Sequence, residues 1–316
     1  MTINQHKDVL TLEQVNLRKK QGTWPLFTGI DENFFPTTGW FGGGLVSPAR
    51  VSTIDRLNFS AETSAVSPAT LSSSRNGLAV TGGNGFGWFG GGSTPASVST
   101  IDRLNFSAET LAVSPAVLST ARDNLAATSG NGFGWFGGGF PLVSTIDRLN
   151  FSAETLAVSP AVLSSARGYL AATSGNGFGW FGGGSTPASV STIDRLNFSA
   201  ETSAVSPAVL STVITSLAAT SGNGFGWFGG GFPSLASTID RLNFSAETLT
   251  VSPVVLSSAR NSLAATSGDG FGWFGGGSTP ASVSTIDRLN FSAETLAVSP
   301  ASLSSARNSL AATNSI

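Results

Sequence analysis

Short segments in which apolar and polar residues alternate recur along the chain, and this alternation is typical of half-buried β-strands. In the segment STIDRLNF, Ile101 and Leu104 flank the charged pair Asp102-Arg103. The segments LAATS and FGWFG are separated by S-G-N-G, whose residues tolerate positive φ, so the two segments are predicted to form a hairpin. No helical period competes with this pattern, and it therefore predicts β-structure.

Each such unit is predicted to contain four strands. LAATS and FGWFG provide the first two, and STIDRLNF follows the glycines through a loop of variable sequence. SAETLAV then returns as a fourth strand, which S-P-A is expected to end because proline cannot donate to a strand ladder.

The unit is repeated six times. GWFGGG recurs at spacings of 48, 47, 45, 47 and 46 residues, with its tryptophans at Trp40, Trp88, Trp135, Trp180, Trp227 and Trp273. STIDRLNFSAET also recurs six times, with its aspartates at Asp55, Asp102, Asp147, Asp194, Asp240 and Asp287. Copies this similar indicate recent duplication or deliberate design. Four strands in 45–48 residues is the size of one β-propeller blade.

The two ends of the repeated region are complementary. The first repeat begins at TTGWFGGG, the second strand of a unit, whereas the last stops at SARNSLAATNSI, the first strand of a unit. We therefore expect an all-β fold, a closed six-bladed β-propeller of four-stranded blades. One blade would combine a C-terminal strand near 306–313 with three strands from about 37–67, which removes exposed strand edges.

The repeat resembles the kelch family of propeller repeats over roughly residues 36–316. The resemblance rests on the three segments STIDRLNFSAETLAV, SARNSLAAT and FGWFGGG, because a kelch strand ends in a double glycine and an Arg opens its inner strand. The chain departs from the family where a tyrosine is usual, at Leu104 and its equivalents. It departs again where a tryptophan is usual, at Leu111, Leu156, Leu249 and Leu296, or at Ser64 and Ser203. These departures suggest a divergent kelch-like lineage.

The loop that follows the glycines varies between blades. It reads GGGSTPASV after three of the tryptophans, GGGFPLV and GGGFPSLA after Trp135 and Trp227, and GGGLVSPARV after Trp40. The alternation suggests duplication of a two-blade unit. Because this rim is the least uniform surface, Phe140 and Phe232 are candidate ligand-binding residues there.

The repeated GFGWFGGG could itself be a ligand loop, but its context argues against this reading. A phosphate loop requires a following Lys-Ser/Thr or a helix N-terminus, and here a polar loop and another strand follow. In a strand, Phe86 and Trp88 share one face and Phe89 takes the other. The six repeated tryptophans are therefore predicted to be structural and to pack between blades, with exposed sugar-stacking platforms as the alternative.

Five arginines precede the inner strands, namely Arg75, Arg122, Arg167, Arg260 and Arg307, whereas the unit with Trp227 has Ile214 at this position. Facing the central channel, these five arginines would form a basic ring able to hold carboxylates or phosphates through bidentate contacts. The competing interpretation has each Arg bonded to loop carbonyls and to the repeated Asp, and the loss of one member favours this second interpretation.

Composition narrows the functional classes. Only 11% of the residues are charged and the net charge is −2, which argues against a nucleic-acid partner. The chain has no Cys, and its single His is His6. Six near-copies also give six equivalent positions, whereas an active site needs distinct groups that converge on one place. We therefore expect no catalytic, cofactor-binding or metal-binding residues.

Residues 1–35 differ in kind from the repeats. A capping-box spacing from Thr11 to Gln14 predicts a short helix near 11–20, and Trp24, Phe27 and Phe34 are apolar anchors. We expect an N-terminal attachment segment at 1–35, which either packs on the first blade or docks onto a protein partner, and a propeller at 36–316. Neither a secretory signal nor a membrane span is visible in the sequence.

Together these features predict a non-enzymatic binding or structural module. The FGGG and STIDR repeats are similar to repeats in bacteriophage tail-fibre and other virion proteins. This resemblance implies a virion component, assembled in the host cytoplasm, that recognises a host-surface receptor or glycan. The alternatives are a designed or recently amplified propeller scaffold without a dedicated ligand, and an intracellular protein-interaction propeller.

Overall fold

Each repeat folds into one antiparallel sheet of four strands. The computed structural model describes residues 37–315, and these residues form six such sheets and one two-stranded hairpin, with no helix. The innermost strands of neighbouring sheets contact each other in a closed circle around a central channel. The described residues therefore form the predicted six-bladed β-propeller.

In each blade, four strands follow one another from the channel outwards. Blade 1 contains β26 (Ala311–Asn314), β1 (Thr38–Gly42), β4 (Thr53–Asn58) and β5 (Thr63–Thr70), and the hairpin β2 (Leu45–Val46) and β3 (Ala49–Arg50) lies in its loop. Blade 2 contains β6 (Ala79–Gly83), β7 (Phe86–Gly90), β8 (Thr100–Asn105) and β9 (Thr110–Val117). Blade 3 contains β10 (Ala126–Gly130), β11 (Phe133–Gly137), β12 (Thr145–Asn150) and β13 (Thr155–Val162). Blade 4 contains β14 (Ala171–Gly175), β15 (Phe178–Gly182), β16 (Thr192–Asn197) and β17 (Thr202–Val209). Blade 5 contains β18 (Ala218–Gly222), β19 (Phe225–Gly229), β20 (Ile239–Asn243) and β21 (Thr248–Val251). Blade 6 contains β22 (Ala264–Gly268), β23 (Phe271–Gly275), β24 (Thr285–Asn290) and β25 (Thr295–Ser302).

The predicted closure of the ring is confirmed. Strand β26 pairs antiparallel with β1, with Trp40 opposite Thr313, so blade 1 takes its inner strand from the far end of the repeated region. This strand begins at Ala311 rather than near 306, because the preceding residues form the crossover from blade 6. Closure gives the inner edge of β1 a complete set of ladder partners.

The prediction that S-P-A ends the fourth strand was wrong in five blades. Strand β9, for example, continues through Pro115 to Val117. This strand lies at the outer edge of its sheet, where a missing N–H needs no partner, so proline is tolerated. Blade 5 is the exception, because β21 stops at Val251. Val254 there replaces the small buried alanine of the other blades and is only partly buried.

The core lies between the blades. Trp88 packs towards blade 3 and Phe89 packs towards blade 1, as the alternation of strand side chains requires. Each repeated tryptophan stacks on the phenylalanine that directly follows the third strand of the next blade, with ring centroids 5.3–5.8 Å apart. Offset stacking of this kind adds about 0.5–1.5 kcal/mol per pair beyond area burial. The contact repeats around the whole ring, so every blade is held to both of its neighbours.

One glycine shows how closely the blades approach. A Cβ placed on Gly137 would lie 2.7 Å from Cε1 of Phe181, which belongs to the next blade and is fully buried. Real Cβ atoms do not approach this closely, so any side chain at this position would push the two blades apart. The glycine after each Trp-Phe pair is therefore required by packing, independently of its backbone freedom.

The predicted attachment segment at 1–35, including its helix near 11–20, lies outside the described residues. The division of the chain between residues 35 and 36 stays a prediction. Among residues 37–315, no helix is long and apolar enough to cross a membrane.

Candidate functional site

One end of the ring carries the loops that differ most between blades. Successive strands of a blade run in opposite directions, so the loops between second and third strands emerge at the same end as the crossovers that connect one blade to the next. We call this end the loop face. Backbone hydrogen bonds join the two sets of segments. The Phe140 N–H donates to the Asp123 carbonyl at 2.7 Å, and the Asp123 N–H donates to the Phe140 carbonyl at 3.0 Å.

A closed circle of backbone hydrogen bonds surrounds the channel on the loop face. In each crossover, one residue donates its N–H to the carbonyl of the equivalent residue in the preceding crossover, at 2.6–2.8 Å. These six residues all have φ between 51° and 64°, and they are Gly77, Asn124, Tyr169, Ser216, Ser262 and Ser309. The circle fixes the positions of six side chains at the channel mouth, and these side chains are not the same in every blade.

Tyr169 stands out in this circle. It is the only tyrosine of the chain, its side chain is exposed, and its backbone has a φ of 59°. A bulky residue in the left-handed region is uncommon and costs of order 1 kcal/mol, and such strain is concentrated at functional sites. The equivalent residues in the other blades are small or polar, so only one blade presents an aromatic ring at the channel mouth.

Asp123 lies beside Tyr169 and also occurs in one blade only, because the equivalent residues are Asn, Gly or Thr. Its Oδ2 accepts a hydrogen bond from the Ser97 hydroxyl at 2.7 Å, and its Oδ1 accepts one from the Asn124 amide. Burial raises the pKa of Tyr169, and the negative charge of Asp123 raises it further. The carboxylate is therefore held in place close to the tyrosine ring.

Phe140 completes a patch with these two residues. It is about half exposed, and its backbone pairs with that of Asp123. The adjacent chain segments also meet, because a Cβ built on Gly168 would lie 3.3 Å from the Gly139 carbonyl carbon. We call Asp123, Phe140 and Tyr169 the aromatic patch. It combines two exposed rings with one fixed carboxylate.

Phe232, the second loop aromatic predicted as a candidate, also lies on the loop face and is half exposed. Its backbone pairs with Thr215 in the same way that Phe140 pairs with Asp123, but the neighbouring ring residue there is Ser216. The structure therefore places Phe140 and Phe232 in equivalent positions of blades 3 and 5. Only Phe140 has a second aromatic residue and a carboxylate beside it.

The five candidate arginines are fully buried. Each guanidinium lies 2.9–3.0 Å from the repeated aspartate of its blade and donates to a backbone carbonyl at 3.0–3.1 Å, as Arg75 does to Phe89. Burial lowers the pKa of all five guanidinium groups below the usual value for arginine, and the adjacent carboxylate opposes the shift. A ligand in the channel would have to separate these ion pairs, so the geometry favours a structural role. Their pairs are Arg75–Asp102, Arg122–Asp147, Arg167–Asp194, Arg260–Asp287 and Arg307–Asp55.

Blade 5 has the aspartate without the arginine. Ile214 occupies the arginine position, and Asp240 is 6% exposed, compared with 0–1% for the other five aspartates. Burial raises the pKa of Asp240, although the Ser211 hydroxyl and backbone N–H stabilise the carboxylate. Blade 5 therefore contains a nearly buried carboxyl group without the guanidinium that accompanies it elsewhere.

The six repeated tryptophans are 0–1% exposed. Five of them also place the indole N–H 3.3–3.5 Å from a glycine carbonyl of the same blade. This burial supports the packing role predicted for them and leaves the loop phenylalanines, rather than the tryptophans, as exposed aromatics.

The central channel offers little room. Its mouth opposite the loop face encloses about 100 Å³ and is lined by the inner strands, with one threonine from each blade. Between residues 37 and 315, no three His, Cys, Asp or Glu side chains lie close enough together to hold a metal ion. The loop face is therefore the end of the ring where the loops between second and third strands and the crossovers differ most from blade to blade.

Sequence reasoning missed Asp123 and Tyr169. The signal that identifies them is a departure from the repeat. Their crossovers have the sequences ARDNL and ARGYL, where two other blades have ARNSL. Neither residue is unusual by itself. Their proximity follows only from the circle of hydrogen bonds, which places neighbouring crossovers side by side.

The fold defines the class of the chain as a six-bladed β-propeller, an architecture that suggests a binding or structural module. No protein-family model matches the chain, and no curated protein matches it significantly.

Proposed function

We propose that the ring is a binding module that recognises a surface carbohydrate through the aromatic patch. The observation that carries this proposal is that Tyr169, Phe140 and Asp123 lie on adjoining segments of the loop face, with Tyr169 and Asp123 each found in one blade only. Exposed rings offer apolar faces to a sugar. The Asp123 carboxylate is 9% exposed and accepts hydrogen bonds from Ser97 and Asn124, so it fixes the loop segments that carry these rings.

The finer part of the proposal follows from the sequence resemblances. A divergent kelch-like propeller that is similar to tail-fibre repeats would be a bacteriophage virion component, and its ligand would be a glycan or receptor of the host surface. Residues 1–35 would provide the attachment to a protein partner on the particle. Deleting residues 1–35 tests this part, because the truncated ring is expected to fold but to lose incorporation into the particle. Loss of folding would argue that the segment is structural.

A glycan array with the full-length chain tests the carbohydrate proposal. The variants Tyr169→Ala and Phe140→Ala are expected to lose binding, because each removes one ring of the patch. Val158→Ala is the matched control, since Val158 is equally exposed but lies on the outer strand β13. An array without signal, or binding that survives both patch variants, would contradict the proposal.

The burial of all six repeated tryptophans favours a second candidate, a propeller scaffold without a dedicated ligand. On that reading the loop residues vary freely and bind nothing. An intracellular protein-interaction propeller is the third candidate, and it would show a protein ligand on the loop face while the glycan array stayed silent.

A further inference from the structure

Five blades carry a phenylalanine beneath an arginine. The ring centre lies 4.7–4.8 Å from the guanidinium carbon, within the range of a cation–π interaction. The strand register explains the contact, because Phe86 stands opposite Asn105 and Trp88 stands opposite Arg103, all on the sheet face that looks towards the next blade. The five pairs are Phe86–Arg103, Phe133–Arg148, Phe178–Arg195, Phe225–Arg241 and Phe271–Arg288.

Each of these arginines, and Arg56 of blade 1, also forms an ion pair with a glutamate of the following blade. Arg56 pairs with Glu109, and the Ser67 hydroxyl donates to the other oxygen of that carboxylate at 3.0 Å. The guanidinium of Arg56 is therefore oriented in the same way as its five counterparts. Its positive charge is already balanced.

Blade 1 lacks the phenylalanine. Thr38 occupies its position, and no ring of residues 37–315 lies over Arg56. The Arg56 side chain is 43% exposed, compared with 27–31% for the other five. A recess of about 280 Å³ replaces the missing ring, and its lining includes Thr38, Arg56, Asn58, Thr63 and Ala65.

We propose that this recess binds an aromatic side chain of a partner protein, which stacks on Arg56 as each phenylalanine stacks on its own arginine. In each of the five other blades, a phenylalanine ring packs against the arginine equivalent to Arg56, so a phenyl ring is the group that fits this recess. The volume is sufficient, because a cavity of roughly 150 Å³ already holds benzene. The recess lies at the end of blade 1 opposite the loop face, so it is independent of the aromatic patch.

The charge balance selects an aromatic ring rather than an anion. An anion would add a second negative charge next to Glu109, which already neutralises Arg56. An aromatic face interacts with the guanidinium through its quadrupole and leaves the ion pair intact, as the five filled blades demonstrate. The exposed guanidinium face is thus complementary to a phenylalanine-like ring.

The test is a titration of the full-length chain with N-acetyl-phenylalanine amide at millimolar concentrations, followed by the NMR signal of the Arg56 Nε–H. We expect saturable shifts of this signal. Thr38→Phe supplies the missing ring and is expected to weaken binding at least about tenfold. This variant should fold, because it reproduces the residue of the other blades. The cyclohexylalanine analogue has a similar shape without π electrons, and we expect it to bind about two- to fivefold more weakly.

A matched variant provides the positive control. Phe86→Thr opens the corresponding recess in blade 2, so a second site that shifts the Arg103 signal is expected. Absence of any shift at Arg56 would overturn the proposal. Binding that Thr38→Phe leaves unchanged would place the ligand elsewhere and overturn it as well, and equal affinity for the cyclohexyl analogue would remove the cation–π argument.

Discussion

Replacing Arg122 with isoleucine makes blade 3 equivalent to blade 5, where Ile214 already occupies this position. The substitution removes a guanidinium that lies 3.0 Å from the Asp147 carboxylate, and both side chains are fully buried. At an effective dielectric constant of 20, two unit charges at this distance attract each other by roughly 5.5 kcal/mol. The variant would leave a buried carboxylate without that attraction.

The loss of stability has an upper limit that depends on pH, because the buried carboxyl group can take up a proton instead of remaining charged. An aspartate with an ordinary pKa of about 3.9 costs about 4.2 kcal/mol to hold protonated at pH 7, but only about 1.5 kcal/mol at pH 5. The lost hydrogen bond from Arg122 to the Phe136 carbonyl adds about 1 kcal/mol at either pH. Arg122→Ile is therefore expected to cost about 3–5 kcal/mol at pH 7 and up to about 2.7 kcal/mol less at pH 5.

Urea unfolding followed by tryptophan fluorescence at pH 7 and pH 5 measures this difference, since the repeated tryptophans are buried in the folded ring. The double variant Arg122→Ile/Asp147→Asn is the control, because it removes the carboxylate as well. Its cost should be smaller than that of the single variant at pH 7 and nearly the same at the two pH values. An equal cost of Arg122→Ile at pH 7 and pH 5, or a double variant as unstable as the single one, would refute the reasoning.

Three further outcomes are expected. Burial raises the pKa of Asp240 above its usual 3.8, so the folded chain binds this proton more tightly than the unfolded chain does. The folded state therefore loses stability as the pH rises from 3.8 through the folded-state pKa. Asp240→Asn should remove that loss, so the stability of the variant relative to the parent chain, measured by urea unfolding, should rise over the same pH interval. Absence of this rise would mean that the Asp240 carboxyl group is well solvated. Gly137→Ala places a methyl group against Phe181 and should cost about 1–3 kcal/mol in the same assay, whereas a neutral result would show that the blades can separate freely. Tyr169→Asn should leave stability unchanged or raise it by up to about 1 kcal/mol while abolishing glycan binding, because asparagine tolerates positive φ better; retained binding would exclude the tyrosine from the site.

The repeats made the fold predictable. Six near-copies repeat the same strand pattern, so each blade supports the assignment of the others. The strand that is missing at the start of the repeated region is present at its end, and closure through β26 could therefore be predicted. The end of the fourth strand was predicted wrongly. A proline interrupts a ladder only if the strand has neighbours on both sides, and the fourth strand of a propeller blade has one, so Pro115 gave no reason for that strand to end.

The site was less predictable because its contacts join distant parts of the chain. Arg122 meets an aspartate 25 residues away, and the choice between a channel ring and an ion pair depended on burial that the pattern does not encode. Phe140 was found because it alters a loop of the repeat. Tyr169 and Asp123 are single departures in neighbouring crossovers, and they become a patch only when the backbone circle at the channel mouth sets their separation.

The pairing of β1 with β26 also has a consequence for synthesis. Strand β1 is the first strand of the ring to leave the ribosome and β26 is the last, so blade 1 has three strands while blades 2 to 6 are being made. During this period the inner edge of β1 is unpaired, and Trp40 lacks the cover that the last strand provides. A chain whose translation stops within the ring keeps this edge open, which makes an incomplete product recognisable to chaperones and proteases by its exposed strand.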